Sequence, residues 1–349
     1  MIKEYGYEYD AVLQEKIWNE TSGRVTEDKW EGAHCLRSGR DALKAIAREY
    51  SPCVVFLPAL SCDSMVRPFE QYGHEIRFYK LNPDYSINME DLEKKIGLGT
   101  GLFLYMDYFG CQAISDDHLR ALKKTYDKLV FIEDRTHNLI WERNSTFHPD
   151  YTIASLRKWI AVPDGGLLWG HITRSLGNDT SFSATRLKAQ CLRHGFFQTG
   201  NEETKKEYRQ IFSTVSDMMD DDEPSAMSAY SYALMEKMDW NQMRSQRKSN
   251  AEVLKAILAP YVHVISGAPS ALYVPFLVSN RDEVQRRLSD RGIFNTIIWP
   301  LSDYQKEICE TARFTEEHML AAPCDQRYTT EDMKFIGHEM VNVIEAVNG

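Results

Sequence analysis

Short apolar runs alternate with amphipathic stretches along the first half of the chain. Runs of apolar, β-branched and aromatic residues are typical of buried strands in a parallel sheet. Between them, apolar residues recur at helical spacing, so the pattern predicts a mostly parallel sheet with right-handed crossover connections. The predicted strands are 54–57, 74–79, 101–106, 130–132 and 152–156, and the predicted helices are 38–47, 64–72, 89–96 and 117–128.

The pattern changes in the second half. Residues 173–223 are polar and charged, and they predict a helical excursion that ends in an acidic loop at 217–223. One long helix is predicted from 227 through 258. Pro275 interrupts the apolar run 272–278, which therefore predicts an edge strand. The remaining predicted elements are strands at 293–300 and 319–324 and helices at 281–291 and 330–347.

These patterns divide the chain into three parts. Residues 1–32 form an N-terminal arm with a short predicted helix at 9–18. A large domain spans 33–239, and a smaller α/β C-terminal domain spans 240–349.

Composition narrows the classes of partner. A net charge of −10 argues against nucleic acid or an anionic membrane surface, because both are themselves negatively charged. Seven scattered cysteines, never spaced C-x-x-C, favour reduced thiols over a disulfide framework or a zinc site. The sequence shows neither a signal peptide nor an apolar run long enough for a membrane span. We therefore expect a cytoplasmic protein without a metal site, in which the acidic run 220–223 is solvated.

An acidic residue and a lysine follow neighbouring predicted strands. Asp134 comes after the strand at 130–132, and Lys158 follows the strand at 152–156. In open α/β sheets, ligands bind at the carboxyl ends of the strands. A lysine amine can form a Schiff base with the aldehyde of pyridoxal phosphate, whose pyridine nitrogen needs an acidic partner. A simple ion pair between exposed strand ends explains this stretch equally well.

The start of the first predicted helix is a candidate anion site. Ser38 and Gly39 stand at its beginning, where backbone amides lack helical partners and a glycine permits close approach. By itself this segment favours an ordinary capped surface helix.

Together the motifs resemble the DegT/DnrJ/EryC1/StrS family of pyridoxal-phosphate aminotransferases. Residues 133–137, EDRTH, are similar to the family motif E-D-x-A-[HQ], and Lys158 followed by Asp164-Gly165-Gly166 resembles its lysine and G-E-G-G turn. The resemblance covers roughly residues 34–345. It implies the three-layer α/β aminotransferase fold of type I, with a mostly parallel central sheet and a smaller α/β C-terminal domain.

The resemblance also implies roles for matching residues. Lys158 would bind the aldehyde of the cofactor pyridoxal 5'-phosphate, Asp134 would pair with its pyridine nitrogen, and His137 would lie beside its phenolic oxygen. The family's phosphate-binding N-G-T-x-A-L segment corresponds to the helix start at 38–43. The residues that this assigns to catalysis or cofactor binding are Lys158, Asp134, His137, Gly39, Arg40, Asp41, Cys62 and Ser155.

Several positions depart from the family pattern. Ser155 lies three residues before the lysine, whereas the family serine lies five before, where Ile153 stands. Cys62 replaces an aromatic residue that stacks on the cofactor ring, and simple helix packing explains this cysteine almost as well. Pro224 replaces an asparagine that donates to the phosphate across the dimer, and its backbone cannot donate. Ala226 replaces an arginine.

By resemblance the protein is expected to be a homodimeric aminotransferase. An amino acid, with glutamate expected, would donate its amino group to a keto sugar linked to a nucleotide. One alternative is another pyridoxal-phosphate reaction on a sugar, a dehydration or elimination, although related dehydratases carry histidine in place of Lys158. The departures at Cys62, Pro224 and Ala226 leave open a non-catalytic, cofactor-binding homologue from a polysaccharide locus.

Overall fold

The computed structural model describes residues 3–10, 30–97, 100–142, 145–219, 222–265 and 271–348. The strands are β1 (Tyr5–Gly6), β2 (His34–Leu36), β3 (Val54–Pro58), β4 (Glu75–Tyr79), β5 (Gly101–Met106), β6 (Leu129–Asp134), β7 (Tyr151–Ala154), β8 (Gly166–Trp169), β9 (His263–Val264), β10 (Tyr273–Leu277), β11 (Ile293–Phe294), β12 (Thr296–Ile297) and β13 (Met319–Pro323). The helices are α1 (Gly39–Ala47), α2 (Asp63–Gln71), α3 (Met89–Ile96), α4 (Asp116–Thr125), α5 (Ser181–Thr199), α6 (Glu202–Thr214), α7 (Ala229–Glu236), α8 (Trp240–Leu258), α9 (Arg281–Asp290), α10 (Asp303–Ile308), α11 (Glu310–His318) and α12 (Thr330–Asn348).

The central sheet has seven strands in the order β2-β8-β7-β6-β5-β3-β4. Strands β4, β3, β5, β6 and β7 are mutually parallel, and near one edge β8 runs antiparallel to both of its neighbours, β7 and β2. The predicted mostly parallel sheet is therefore confirmed. Since parallel strands end at one edge, the carboxyl ends of β3, β5, β6 and β7 lie side by side, where ligands bind in such sheets.

Buried aromatic and aliphatic residues explain why this sheet forms. Phe103 on β5 and Phe131 on β6 are fully buried, and their ring centroids lie 5.6 Å apart in an edge-to-face arrangement. Such pairs add to the stabilisation gained by burying apolar surface. Helices α1, α3 and α4 begin at side-chain caps; in α3 the side chain of Asn88 accepts a hydrogen bond from the amide of Asp91.

The second sheet is antiparallel, in the order β12-β13-β10-β9. The prediction that the run around Pro275 is an edge strand is wrong, because β10 pairs with β13 on one side and β9 on the other. Pro275 still accepts a hydrogen bond from the amide of Ile265 at 2.9 Å. The N–H that proline lacks would face Ile265, which lies one residue past the end of β9. The proline therefore removes no hydrogen bond within the β9 pairing, and this interior strand tolerates it.

The connections show three further features. The excursion at 173–223 is helical, as predicted, and forms α5, α6 and a short 3-10 helix at Val215–Met219. The single helix predicted over 227–258 is instead two helices, because Asp239 caps a new helix by accepting from the amide of Gln242. The N-terminal β1 pairs with β11 of the same chain.

Two predictions have no structural outcome. The helix predicted at 9–18 falls almost entirely outside the described residues. The domain boundary near Asp239 stays a prediction.

Among the described helices, none is long and apolar enough to cross a membrane.

Candidate active site

A cavity of about 260 Å³ lies where the carboxyl ends of β6 and β7 meet the start of α1. Asp134 is the last residue of β6, and Lys158 closes a single 3-10 turn that follows β7. Both side chains line this cavity, which we call the cofactor cavity. The Lys158 Nζ lies 5.6 Å from the ring centroid of Trp299, which also lines the cavity. The ends of the adjacent strands β6 and β7 thus bring Asp134 and Lys158 to one site.

The turn after Lys158 is held by a buried carboxylate. Asp164 accepts hydrogen bonds from the Ser228 amide at 2.7 Å and the Ser228 hydroxyl at 2.6 Å, and from the Ser231 hydroxyl. A Cβ on Gly166 would lie 2.2 Å from the backbone carbon and oxygen of Ser38. The glycine is therefore required because the start of α1 lies directly against this turn.

Asp134 is buried and oriented by its neighbour. One of its carboxylate oxygens accepts a hydrogen bond from the backbone amide of Thr136 at 2.7 Å. Burial raises the pKa of Asp134, and the hydrogen bonds from Thr136 and the positive charge of Lys158 oppose that rise. The preceding Glu133 does not line the cofactor cavity; it lines a different cavity, which Asp134 also borders. Strand alternation thus presents Asp134, and not Glu133, to Lys158.

His137 lies behind the cavity wall and not in its lining. Its ring is buried, and its Nδ1 accepts a hydrogen bond from the backbone amide of Phe109 at 3.3 Å. The ring is tilted by 31° to that of Phe109 and by 32° to that of Trp299, with centroids 4.9 and 5.9 Å away. Burial lowers the pKa of His137 well below 6.5, and the nearby Lys158 lowers it further. The imidazole is therefore neutral at physiological pH.

The start of α1 forms the opposite wall. Gly39 and Arg40 line the cavity, as does Ser155. A Cβ on Gly39 would lie 3.3 Å from the Cβ of Ser155, so the helix start and the end of β7 approach closely. Backbone amides at a helix start, together with a serine hydroxyl, are suitable ligands for a phosphate group.

Asp41 is directed into the protein. Its carboxylate accepts from Arg37 at 2.9 and 3.0 Å and from the Ser38 hydroxyl at 2.9 Å, while its amide donates to that hydroxyl at 3.0 Å. Asp41 does not line the cavity. Its groups are used to cap α1 and to neutralise the fully buried Arg37.

Arg40 joins the helical excursion to the cavity. Its guanidinium donates to the Ser216 carbonyl at 3.1 Å and to the Ser64 hydroxyl at 2.9 Å, and both of these serines line the cavity. The excursion therefore closes one side of the cofactor cavity with residues of the same chain.

Cys62 also lines the cavity, at the residue that precedes α2. Burial raises the pKa of its thiol, against an opposing effect of Lys158, so the thiol stays neutral. Sequence reasoning did not assign Trp299, Arg157, Ser64 or Ser216 to the site. Only Trp299 carried a signal, since the segment ending in Trp299-Pro300 resembles the family's G-I-x-x-x-x-x-[YW]-P strand; the others depend on tertiary contacts.

The acidic run before Pro224 is engaged in ion pairs. Asp222 pairs with Arg37 at 3.1 Å, and Glu223 pairs with Arg48 at 3.2 Å. Residues 220 and 221 lie outside the described part of the chain. The carbonyl of Pro224 accepts a hydrogen bond from the amide of Gly177, and the amide of Ala226 donates one to the carbonyl of Gly177.

No family model matches the chain, and no curated protein sequence matches it. Solved structures do match over nearly its whole length. A DegT DnrJ EryC1 StrS aminotransferase from Brucella abortus is 18% identical, with a TM-score of 0.65 over 97% of this chain and 90% of the other. PseC from Helicobacter pylori, an aminotransferase involved in the biosynthesis of pseudoaminic acid, is 16% identical, with a TM-score of 0.66 over 99% and 100%.

NtdA from Bacillus subtilis, solved with its bound cofactor PMP, is 16% identical, with a TM-score of 0.65 over 97% of this chain and 83% of the other. At these identities the similarity establishes the fold. The resemblance seen in the sequence is thus confirmed at the level of architecture: this chain has the fold of the DegT/DnrJ/EryC1/StrS aminotransferases.

Proposed function

We propose that the protein is a pyridoxal-phosphate-dependent aminotransferase of this family. The observation that carries the proposal is the placement of Lys158 and the buried Asp134 on one cavity, beside the start of α1. Pyridoxal phosphate, when bound, supplies an aldehyde for a lysine and a ring that accepts the electrons of a developing carbanion.

The chemistry of the lining residues fits this cofactor. A buried carboxylate whose pKa is raised by burial gains from a cationic partner, and a protonated pyridine nitrogen is such a partner. Gly39, Ser155 and the α1 amides would hold the phosphate, with Arg40 as an added cation. Trp299 and Cys62 would lie near the ring system, and the neutral His137 would support the site from behind the wall.

Lys158 would perform the proton transfers. Its amine would hold the aldehyde of the bound cofactor, and once free it would serve as the base and acid that take up and return a proton beside the cavity. Asp134 would keep the proton on the ring nitrogen throughout, because a buried carboxylate stabilises a neighbouring cation strongly.

The proposed substrates are an amino acid donor, with glutamate expected, and a keto sugar linked to a nucleotide. Support comes from the fold shared with PseC, which is involved in the biosynthesis of pseudoaminic acid. A homodimer in the cytoplasm belongs to the same proposal.

Borohydride trapping tests the assignment directly. Reduction of the cofactor-loaded protein should fix the cofactor on a peptide containing Lys158, and Lys158→Ala should lose both the visible absorbance and the label. Lys188→Ala is the matched control, because Lys188 is an exposed lysine on α5 paired with Glu207. A label found on another lysine would end the proposal.

Turnover tests the substrate class. The wild-type protein is assayed with L-glutamate and a panel of nucleotide-linked keto sugars, and the amine product is quantified. Release of water or of another leaving group without amine transfer would instead identify an elimination. Cofactor attachment without turnover of any sugar would favour a non-catalytic role.

A further inference from the structure

A second cavity, of about 400 Å³, lies on the other side of Lys158. It is bounded by the N-terminal arm, which contributes Tyr7 and Glu8, and by the C-terminal part of the chain, which contributes Asp325 and Arg327. Arg157 and Lys158 line both this space and the cofactor cavity. A molecule in this second cavity, which we call the arm cavity, would therefore lie next to the proposed catalytic lysine.

The charges of the arm cavity are mostly compensated within the protein. Glu8 pairs with Arg186 at 2.6 Å, and Asp325 pairs with Arg327 at 2.7 Å. Arg157 differs from them. In the part of the chain that the structure describes, its guanidinium has neither a hydrogen-bond acceptor nor a carboxylate partner, and its Nε is fully buried. It rests against the ring of Phe182, with the guanidinium carbon 5.7 Å from the centroid.

The buried Nε without an acceptor is unfavourable, while the side chain as a whole is partly exposed and lines both cavities. Burial, followed by the positive charge of Arg186, lowers the pKa of Arg157 to about 9, against the opposing effects of Glu8 and Asp164. At the boundary of the two cavities, Arg157 thus presents a positive charge that no carboxylate of the described residues pairs with directly. A bound carboxylate would supply the missing acceptor.

We propose that Arg157 binds a carboxylate group of the substrate in the arm cavity, beside Lys158. The proposal rests on the proposed aminotransferase function and adds to it the recognition of a substrate acid. The planar guanidinium matches a carboxylate through two parallel hydrogen bonds. The carboxylate belongs either to the amino donor or to an acidic sugar acceptor.

Calorimetric titration of the cofactor-loaded protein with glutarate, a dicarboxylate that carries no amine, tests the proposal. Arg157→Gln should weaken glutarate binding by about ten- to a hundredfold, the effect of losing a hydrogen bond to a charged group. Arg157→Lys should recover part of the affinity, because it restores the charge without the fork. Arg209→Gln is the matched control, since this arginine lies near the arm, pairs with Glu4 at 3.6 Å and lines neither cavity.

Several outcomes would overturn the proposal. Glutarate affinity that is equal in wild type and Arg157→Gln would do so, and so would wild-type binding of neutral glutaramide as tight as that of glutarate. Weakened affinity for pyridoxal phosphate with unchanged glutarate affinity would instead assign Arg157 to the cofactor phosphate. Borohydride labelling of Lys158 in Arg157→Gln keeps the two proposals separate, because it reports the cofactor and not the carboxylate.

Single-turnover experiments identify the source of the carboxylate. If the donor supplies it, Arg157→Gln should raise the half-saturating concentration of L-glutamate at least about tenfold, with a smaller effect on the limiting rate. If the acceptor supplies it, glutamate saturation should be unchanged, and the variant should lose affinity for acidic sugars alone.

Discussion

Replacing Asp134 with asparagine should separate cofactor binding from fold stability. The substitution removes one negative charge and preserves shape, so the Oδ1 that accepts from the Thr136 amide at 2.7 Å remains available. Without cofactor, the buried carboxylate is unfavourable, as shown by the burial that raises its pKa above 3.8. The native state therefore binds more protons than the unfolded state between 3.8 and the folded pKa, and stability falls as pH rises through that window.

The expected effects have opposite signs with and without cofactor. Asparagine does not ionise, so the variant does not lose stability as the pH rises. The cofactor-free variant should therefore be at least as stable as wild type at pH 7. With cofactor, the variant lacks a charge-assisted hydrogen bond to the ring nitrogen, worth about 1.5–3 kcal/mol. The dissociation constant of pyridoxal phosphate should rise about ten- to a hundredfold. Most turnover should be lost, because a neutral amide does not retain the ring proton.

Two measurements check this reasoning. Thermal unfolding without cofactor, followed from pH 4 to pH 8, should show a smaller decline with rising pH for Asp134→Asn than for wild type. Equilibrium titration with pyridoxal phosphate gives the affinities. Glu133→Gln is the control, since Glu133 does not line the cofactor cavity, and this variant should bind cofactor normally. A crippled Glu133→Gln beside a normal Asp134→Asn would show that the strand register is wrong.

Three further predictions concern the start of α1. Arg40→Ala should weaken pyridoxal phosphate binding at least about tenfold in a fluorescence titration, and unchanged affinity would remove this arginine from the phosphate site. Arg37→Ala should cost about 3–5 kcal/mol in denaturant unfolding, because it leaves the carboxylate of Asp41 buried without its cation. Gly166→Ala should cost about 3 kcal/mol in the same assay, since its Cβ would overlap the backbone of Ser38; a wild-type unfolding midpoint would contradict that clash.

Local patterns were sufficient to predict most elements of the central sheet and its connecting helices. The strand over 101–106 and the helix over 89–96 have the predicted bounds. A buried apolar strand and a capped amphipathic helix are both defined by residues that are neighbours in the sequence. The interior position of β10 was not predictable in this way. Proline cannot donate a backbone hydrogen bond to a neighbouring strand. Whether β10 needs that bond depends on how far the neighbouring β9 extends, which the sequence around Pro275 does not show.

Some features of the candidate site were likewise predictable from the sequence, and others were not. The sequence by itself determined the α/β fold class, the pairing of Asp134 with Lys158 as the candidate chemistry, and the glycines that allow close approach, since these depend on residue type and short spacing. Only the tertiary structure decided that Asp41 is directed inward, that Lys158 lies over the ring of Trp299, and that Arg157 lines two cavities with no hydrogen-bond or ion-pair partner among the described residues. The physical reason is that burial and ion pairing depend on segments far apart in the chain, such as the arm at Glu8 and the excursion at Arg186, and no local pattern records which charges meet there.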